Sequence, residues 1–90
     1  MADATVKKPS KDELKSLGVD RWGIWEKEPS EFPWSYSEKE TCYILDGEAQ
    51  VEAKDGKKVS FKAGDLVEFP VGLECTWKIR KKIRKRYLFG

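Results

Sequence analysis

The stretch Gly64 to Trp77, GDLVEFPVGLECTW, constrains the fold of this chain more than any other. It reads as a tight turn at Gly64-Asp65, a short apolar strand from Leu66 to Phe69, a second turn at Pro70-Val71-Gly72 and a new strand from Glu74. Both glycines stand where a β-turn needs positive φ or close backbone approach. Pro70 falls at a strand end, where a missing N–H costs no ladder bond. Punctuation this dense specifies a compact β corner.

Strand texture continues on both sides. Trp22, Ile24 and Trp25 form an apolar stretch, and Phe32, Trp34 and Tyr36 alternate with Pro33 and Ser35. Glu40 to Leu45 is a strand that ends in an Asp46-Gly47 turn. Glu48 to Ala53 alternates, with Ala49, Val51 and Ala53 inward, and Asp55-Gly56 is a two-residue hairpin signal before Val59, Phe61 and Ala63. Cys75, Trp77 and Ile79 share one parity, the Lys81-Lys82 pair makes a turn, and Ile83, Lys85, Tyr87 and Phe89 face in on a final strand. About eight short strands with turns every eight to twelve residues predict an antiparallel sandwich or closed barrel. Upstream, Ser10 and Glu13 match a capping box for a short helix carrying Leu14 and Leu17, which stops at Gly18. Residues 1–9 are expected to be a flexible terminus and residues 10–90 one domain.

The chain has no histidine among its 90 residues. That removes His-centred zinc sites, His-based triads and the usual non-haem iron triad. Its two cysteines, Cys42 and Cys75, are too few for a disulfide framework. The opening MADATVKKPSKDEL has no apolar core of a secretory signal, and no apolar run reaches membrane-spanning length. An intracellular, reducing setting is expected, cytoplasmic first, or a plastid if a transit peptide has been removed. Charge is nearly balanced at net +2, but residues 26–52 are acid-rich while residues 78–86, KIRKKIRKR, are basic. Alternation turns most of that basic run outward as a solvated face, so nucleic acid is not the expected partner.

With the strands in place, the chain resembles a cupin, the small double-stranded β-helix or jelly-roll barrel. The second cupin motif spaces Gly, Pro, Gly and His, and here Gly64, Pro70 and Gly72 keep that spacing while Cys75 takes the histidine position. In the first motif Glu40 and Gly47 keep their places, and Trp34 and Tyr36 stand where two histidines would be. The run from Trp22 to Phe89 is similar to short cupins related to the ureidoglycine aminohydrolase cupin domain. It shares Trp22 to Trp25, Phe32 to Tyr36, ETCYILDG from Glu40, GDLVEFP from Gly64 and CTW from Cys75. The resemblance implies an all-β cupin barrel with one short N-terminal helix and often a dimer, which an exposed Trp22 or Trp25 would favour. It also implies that the metal site of such barrels, three His and one Glu, is reduced to Glu40, so no metal and no cofactor are expected.

Trp34, Tyr36, Glu40 and Cys75 replace residues that face the barrel mouth, and Trp77 shares the parity of Cys75. Lys85 faces in and is the candidate partner for Glu40, since a buried carboxylate is costly unless paired. These residues suit a pocket for a small polar ligand with a flat or cationic part; the alternative is that the same bulky rings simply plug a redundant site. Catalytic candidates are Glu40, Cys75 and Lys85. Cys42 shares the parity of Glu40, which leaves a Cys42–Cys75–Glu40 soft-metal site open beside the simpler reading of buried thiols. Three functions remain: a metal-free small-molecule-binding cupin; an enzyme of ureide or related nitrogen metabolism with Glu40 as acid/base; and an interaction module using the basic C-terminal strand.

Overall fold

A computed structural model describes residues 4–90. The elements in chain order are β1 (Thr5–Lys7), α1 (Lys11–Leu17), a 3-10 turn (Val19–Arg21), β2 (Gly23–Lys27), β3 (Ser30–Ser35), β4 (Glu40–Ala53), β5 (Lys58–Lys62), β6 (Leu66–Phe69) and β7 (Glu74–Phe89). Ser10 caps the helix by accepting the Glu13 N–H at 3.1 Å, and Gly18 ends it with a left-handed φ of 71°. The helix is short and buries nothing fully; Leu14 packs on the small cluster of Val19, Trp22 and Leu66, whereas Leu17 stays exposed.

Two long strands organise the barrel. The first half of β4, from Glu40 to Tyr43, pairs with β6, and its second half, from Glu48 to Glu52, pairs with β5. In the same way β7 pairs with β3 through Glu74–Ile79 and with β2 through Ile83–Tyr87. β4 and β7 run antiparallel along their whole length, so they carry the chain from one half of the barrel to the other. All pairings are antiparallel. The halves close on each other through rings: Phe69 of β6 lies 6.0 Å from Phe61 of β5 and 5.5 Å from Trp77 of β7, centroid to centroid. The result is the all-β jelly-roll barrel, with one short helix, that the sequence predicts.

Among the described residues seven strands replace the expected eight or so, for a physical reason. The Asp46-Gly47 signal is a bulge inside β4, not a turn: the register with β7 shifts between Ile44 and Ala49. Inward residues therefore change from even numbers (Glu40, Cys42, Ile44) to odd ones (Ala49, Val51) without a reversal of the chain. Gly47 is required here, because at φ 90° an added Cβ would lie 2.1 Å from the Lys82 carbonyl oxygen. Lys81-Lys82 likewise lie within β7, opposite that bulge, and make no turn. Three smaller expectations are also corrected. Residues 5–7 of the supposedly flexible terminus form β1, paired to β6, while residues 1–3 fall outside the described residues. Ala63 is exposed, since it lies beyond the end of β5. Trp22 is buried in the small cluster and Trp25 half-buried, so neither supplies the exposed aromatic expected to favour a dimer.

The corner that opens the sequence reading holds together through Asp65. This buried carboxylate accepts the Lys62 N–H at 2.9 Å and the Lys8 ammonium at 2.9 Å. Two hydrogen bonds to one carboxylate offset much of the cost of burying it. No helix among the described residues is long and apolar enough to cross a membrane.

Candidate functional site

At one end of the barrel the strands part around a cavity of about 160 Å³, walled mostly by rings. β2 supplies Trp25, β3 supplies Phe32 and Trp34, and β7 supplies Trp77, Lys85, Tyr87 and Phe89. Tyr36 enters from the start of the β3–β4 connection, just after β3, and Glu40 from the start of β4. Strand parity accounts for this: Trp25 is directly opposite Lys85, and Phe32 is directly opposite Trp77. Gly23 makes room for one wall, since a Cβ there would meet the Tyr87 ring at 2.8 Å.

The charged centre is the pair of Glu40 and Lys85, 3% and 5% exposed. The Lys85 ammonium donates to Glu40 Oε2 at 2.8 Å. It also lies 4.6 Å from the Trp77 ring centroid and 4.8 Å from that of Trp25. Lysine is thus held by a carboxylate and by two π faces at once, which stabilises its charge far from water. Beside it, the Trp77 indole N–H donates to the Tyr36 hydroxyl at 3.2 Å, and the Tyr36 ring stacks on Phe69 at 5.0 Å. Burial first, and then the Glu40 charge, hold the Tyr36 phenol well above its ordinary range, so it stays protonated.

Not every expected residue meets here. Trp34, expected to face inward, is 48% exposed at the rim, edge-on to Tyr36 at 6.5 Å. Cys75 is absent from the cavity wall. Its register neighbours are Trp34 and Ala53, and its thiol donates to the Trp34 carbonyl oxygen at 3.6 Å. Burial, then the Glu40 charge, push this thiol up to about 11. Cys42 lies in the other half of the barrel, opposite Val67 and Tyr87, and burial pushes it up to about 12. Both cysteines are free and buried. Phe32, Tyr87 and Phe89 also line the wall, as the alternation of β3 and β7 implies, and so does Trp25, whose face the unbroken apolar run Ile24-Trp25 does not reveal.

The donor set does not fit the metal of a typical cupin barrel. Glu40 is engaged by an ammonium, Tyr36 keeps its proton, Trp34 offers no ligand atom, and the Cys75 thiol is turned to a backbone carbonyl. Among the described residues no group of three or more His, Cys, Asp or Glu could hold a metal ion.

An antiparallel jelly-roll barrel with a cavity at its mouth is the architecture that cupins share. The chain belongs to the EutQ-like cupin domain family, whose pattern matches residues 14–87. It is similar to a DUF861 family protein from Thermotoga maritima, at 49% identity and a TM-score of 0.97, covering 98% of this chain and 100% of that one. A provisionally named ethanolamine utilization protein Q from Salmonella typhimurium matches at 27% identity and a TM-score of 0.68, over 74% of this chain and only 54% of that one. The Clostridium difficile EutQ protein matches at 25% identity and a TM-score of 0.69, over 96% of this chain and 66% of that one. This chain thus spans between half and two thirds of those two proteins. No curated protein matches it significantly.

Proposed function

We propose that this chain is a small-molecule-binding cupin that works without a resident metal, its ligand seated at the barrel mouth among Trp34, Tyr36, Glu40, Trp77 and Lys85. One observation carries the reading: a buried, neutral Lys85–Glu40 pair forms the polar floor of an otherwise aromatic cavity. Ligand pockets have this composition, mostly apolar with a few placed polar groups. The remaining volume weighs against rings that merely plug the site. Lys85 supplies the positive charge that a metal would bring to Glu40, which supports metal independence. Thermal-shift screening against ureides, amines and small acids tests the reading. A hit should stabilise the wild-type protein and lose that effect in Glu40→Gln and Lys85→Ala; an unchanged effect in both places the ligand elsewhere. Stoichiometric iron, manganese or zinc in the purified protein would sink the metal-free part.

The finer likeness to the ureidoglycine aminohydrolase cupin would make Glu40 an acid/base in ureide chemistry. It rests on the shared motifs alone, and ammonia release from ureides is its direct test. A homodimer stays a proposal on a different footing, since Ile24 and Leu88 are exposed. Sizing in solution decides it.

A further inference from the structure

The aromatic clamp of the cavity is already filled by the protein's own cation. Lys85 lies between the Trp25 and Trp77 rings at 4.8 and 4.6 Å, so the faces that would receive a cationic ligand are taken. Its charge is cancelled by Glu40 at 2.8 Å. A ligand with a net charge of either sign would therefore leave one charge uncompensated in a largely apolar site, which is costly. The pair can still make hydrogen bonds. An ammonium has three donors and a carboxylate about four acceptor sites, so a single bond between them leaves both with capacity. Size adds a third constraint. A buried apolar cavity of about 150 Å³ accommodates benzene, and this one is about 160 Å³.

Resting on the ligand-binding reading above, we propose that the cavity takes a neutral, single-ring molecule with a hydrogen-bond acceptor and donor side by side, as in a lactam or ring carboxamide. Its carbonyl meets the Lys85 ammonium, its N–H meets the Glu40 carboxylate, and its ring lies among Phe32, Trp77 and Tyr36. Trp34, half exposed at the rim, covers the outer edge of the ring.

The test titrates the purified chain with 2-pyridone, benzoate and benzylammonium, followed by tryptophan fluorescence and thermal shift. The expected result is binding of 2-pyridone at least tenfold tighter than either charged probe. In the double variant Glu40→Leu/Lys85→Met, which removes both charges together, 2-pyridone affinity should fall at least tenfold. Retained affinity there would show that the pair is not the recognition edge. Benzoate or benzylammonium binding as tightly as 2-pyridone would overturn the ligand class and leave the pocket standing. So would silence from all three probes alongside a hit in the broader screen of ureides, amines and acids that is lost in Glu40→Gln and Lys85→Ala. Silence from the probes and from that screen would overturn the class and the binding reading together, leaving a plugged barrel.

Discussion

Strand β7 presents lysines to two different solvents. On its outer face Lys81 meets Glu48 at 3.4 Å, Lys82 meets Glu28 at 3.5 Å and Arg84 meets Glu26 at 3.7 Å, all substantially exposed. Lys78 reaches Glu52 at 2.9 Å and Glu31 at 4.0 Å. The acid-rich segment and the basic segment of the sequence thus neutralise each other across strands. On the inner face Lys85 meets Glu40 at 2.8 Å with both side chains almost fully buried. The chemistry is the same and the energetics are opposite. Outer pairs gain little, because water already solvates the separated charges. In the inner pair each partner is indispensable to the other, because neither charge has water to fall back on. The outer pairs offset the charges of Lys78, Lys81, Lys82 and Arg84 on this face.

The comparison breaks most visibly at Lys85. Lys85→Met should cost about 3–5 kcal/mol in chemical denaturation, because it strands the Glu40 charge. Glu40→Gln should cost less, since the two indoles still hold the ammonium. Removing both charges in Glu40→Leu/Lys85→Met should return stability to within about 1 kcal/mol of wild type. If Lys85→Met is as mild as an outer-face change, the contrast between the two faces is wrong. Next comes Gly47→Ala, expected to cost roughly 3 kcal/mol through a strained φ and the contact with the Lys82 carbonyl. It tests the bulge that puts Glu40 and Cys42 on the inside.

The inner environment can also be probed by pH. Cys42 and Cys75 rise from an ordinary 9.0 to about 12 and about 11. Above pH 9 the unfolded chain loses thiol protons that the folded chain keeps, so stability should fall from about pH 9 towards pH 12. Native thiols should resist alkylation at pH 8 and react on unfolding; fast labelling of the folded protein would contradict their burial. Smallest is the outer face. Lys82→Ala should stay within about 0.5 kcal/mol of wild type, and added salt should shrink even that difference.

Much of the fold was legible because period-2 alternation survives in nearly every strand. The inward positions of Tyr36, Trp77 and Lys85 follow from it. The pairing of Lys85 with Glu40 was legible too, since two inward charges of opposite sign in one small barrel have few other partners. The β4 bulge was not. Asp46-Gly47 carries the same residues as a hairpin turn, and only the opposing Lys82 backbone makes it a bulge. Cys75 misled for a related reason: a motif position says which strand and face a residue occupies, not how deep the cavity reaches.

By itself, then, the sequence determined the class of fold, the absence of histidine chemistry and the two-faced character of β7, because these depend on residue type and alternation. The tertiary structure decided what stands around each charge. It put Lys85 between two indoles from different strands, left Trp34 at the rim, and turned Cys75 away from the cavity. Those outcomes depend on register across strands far apart in the chain, and register is set by bulges and packing that no local pattern records.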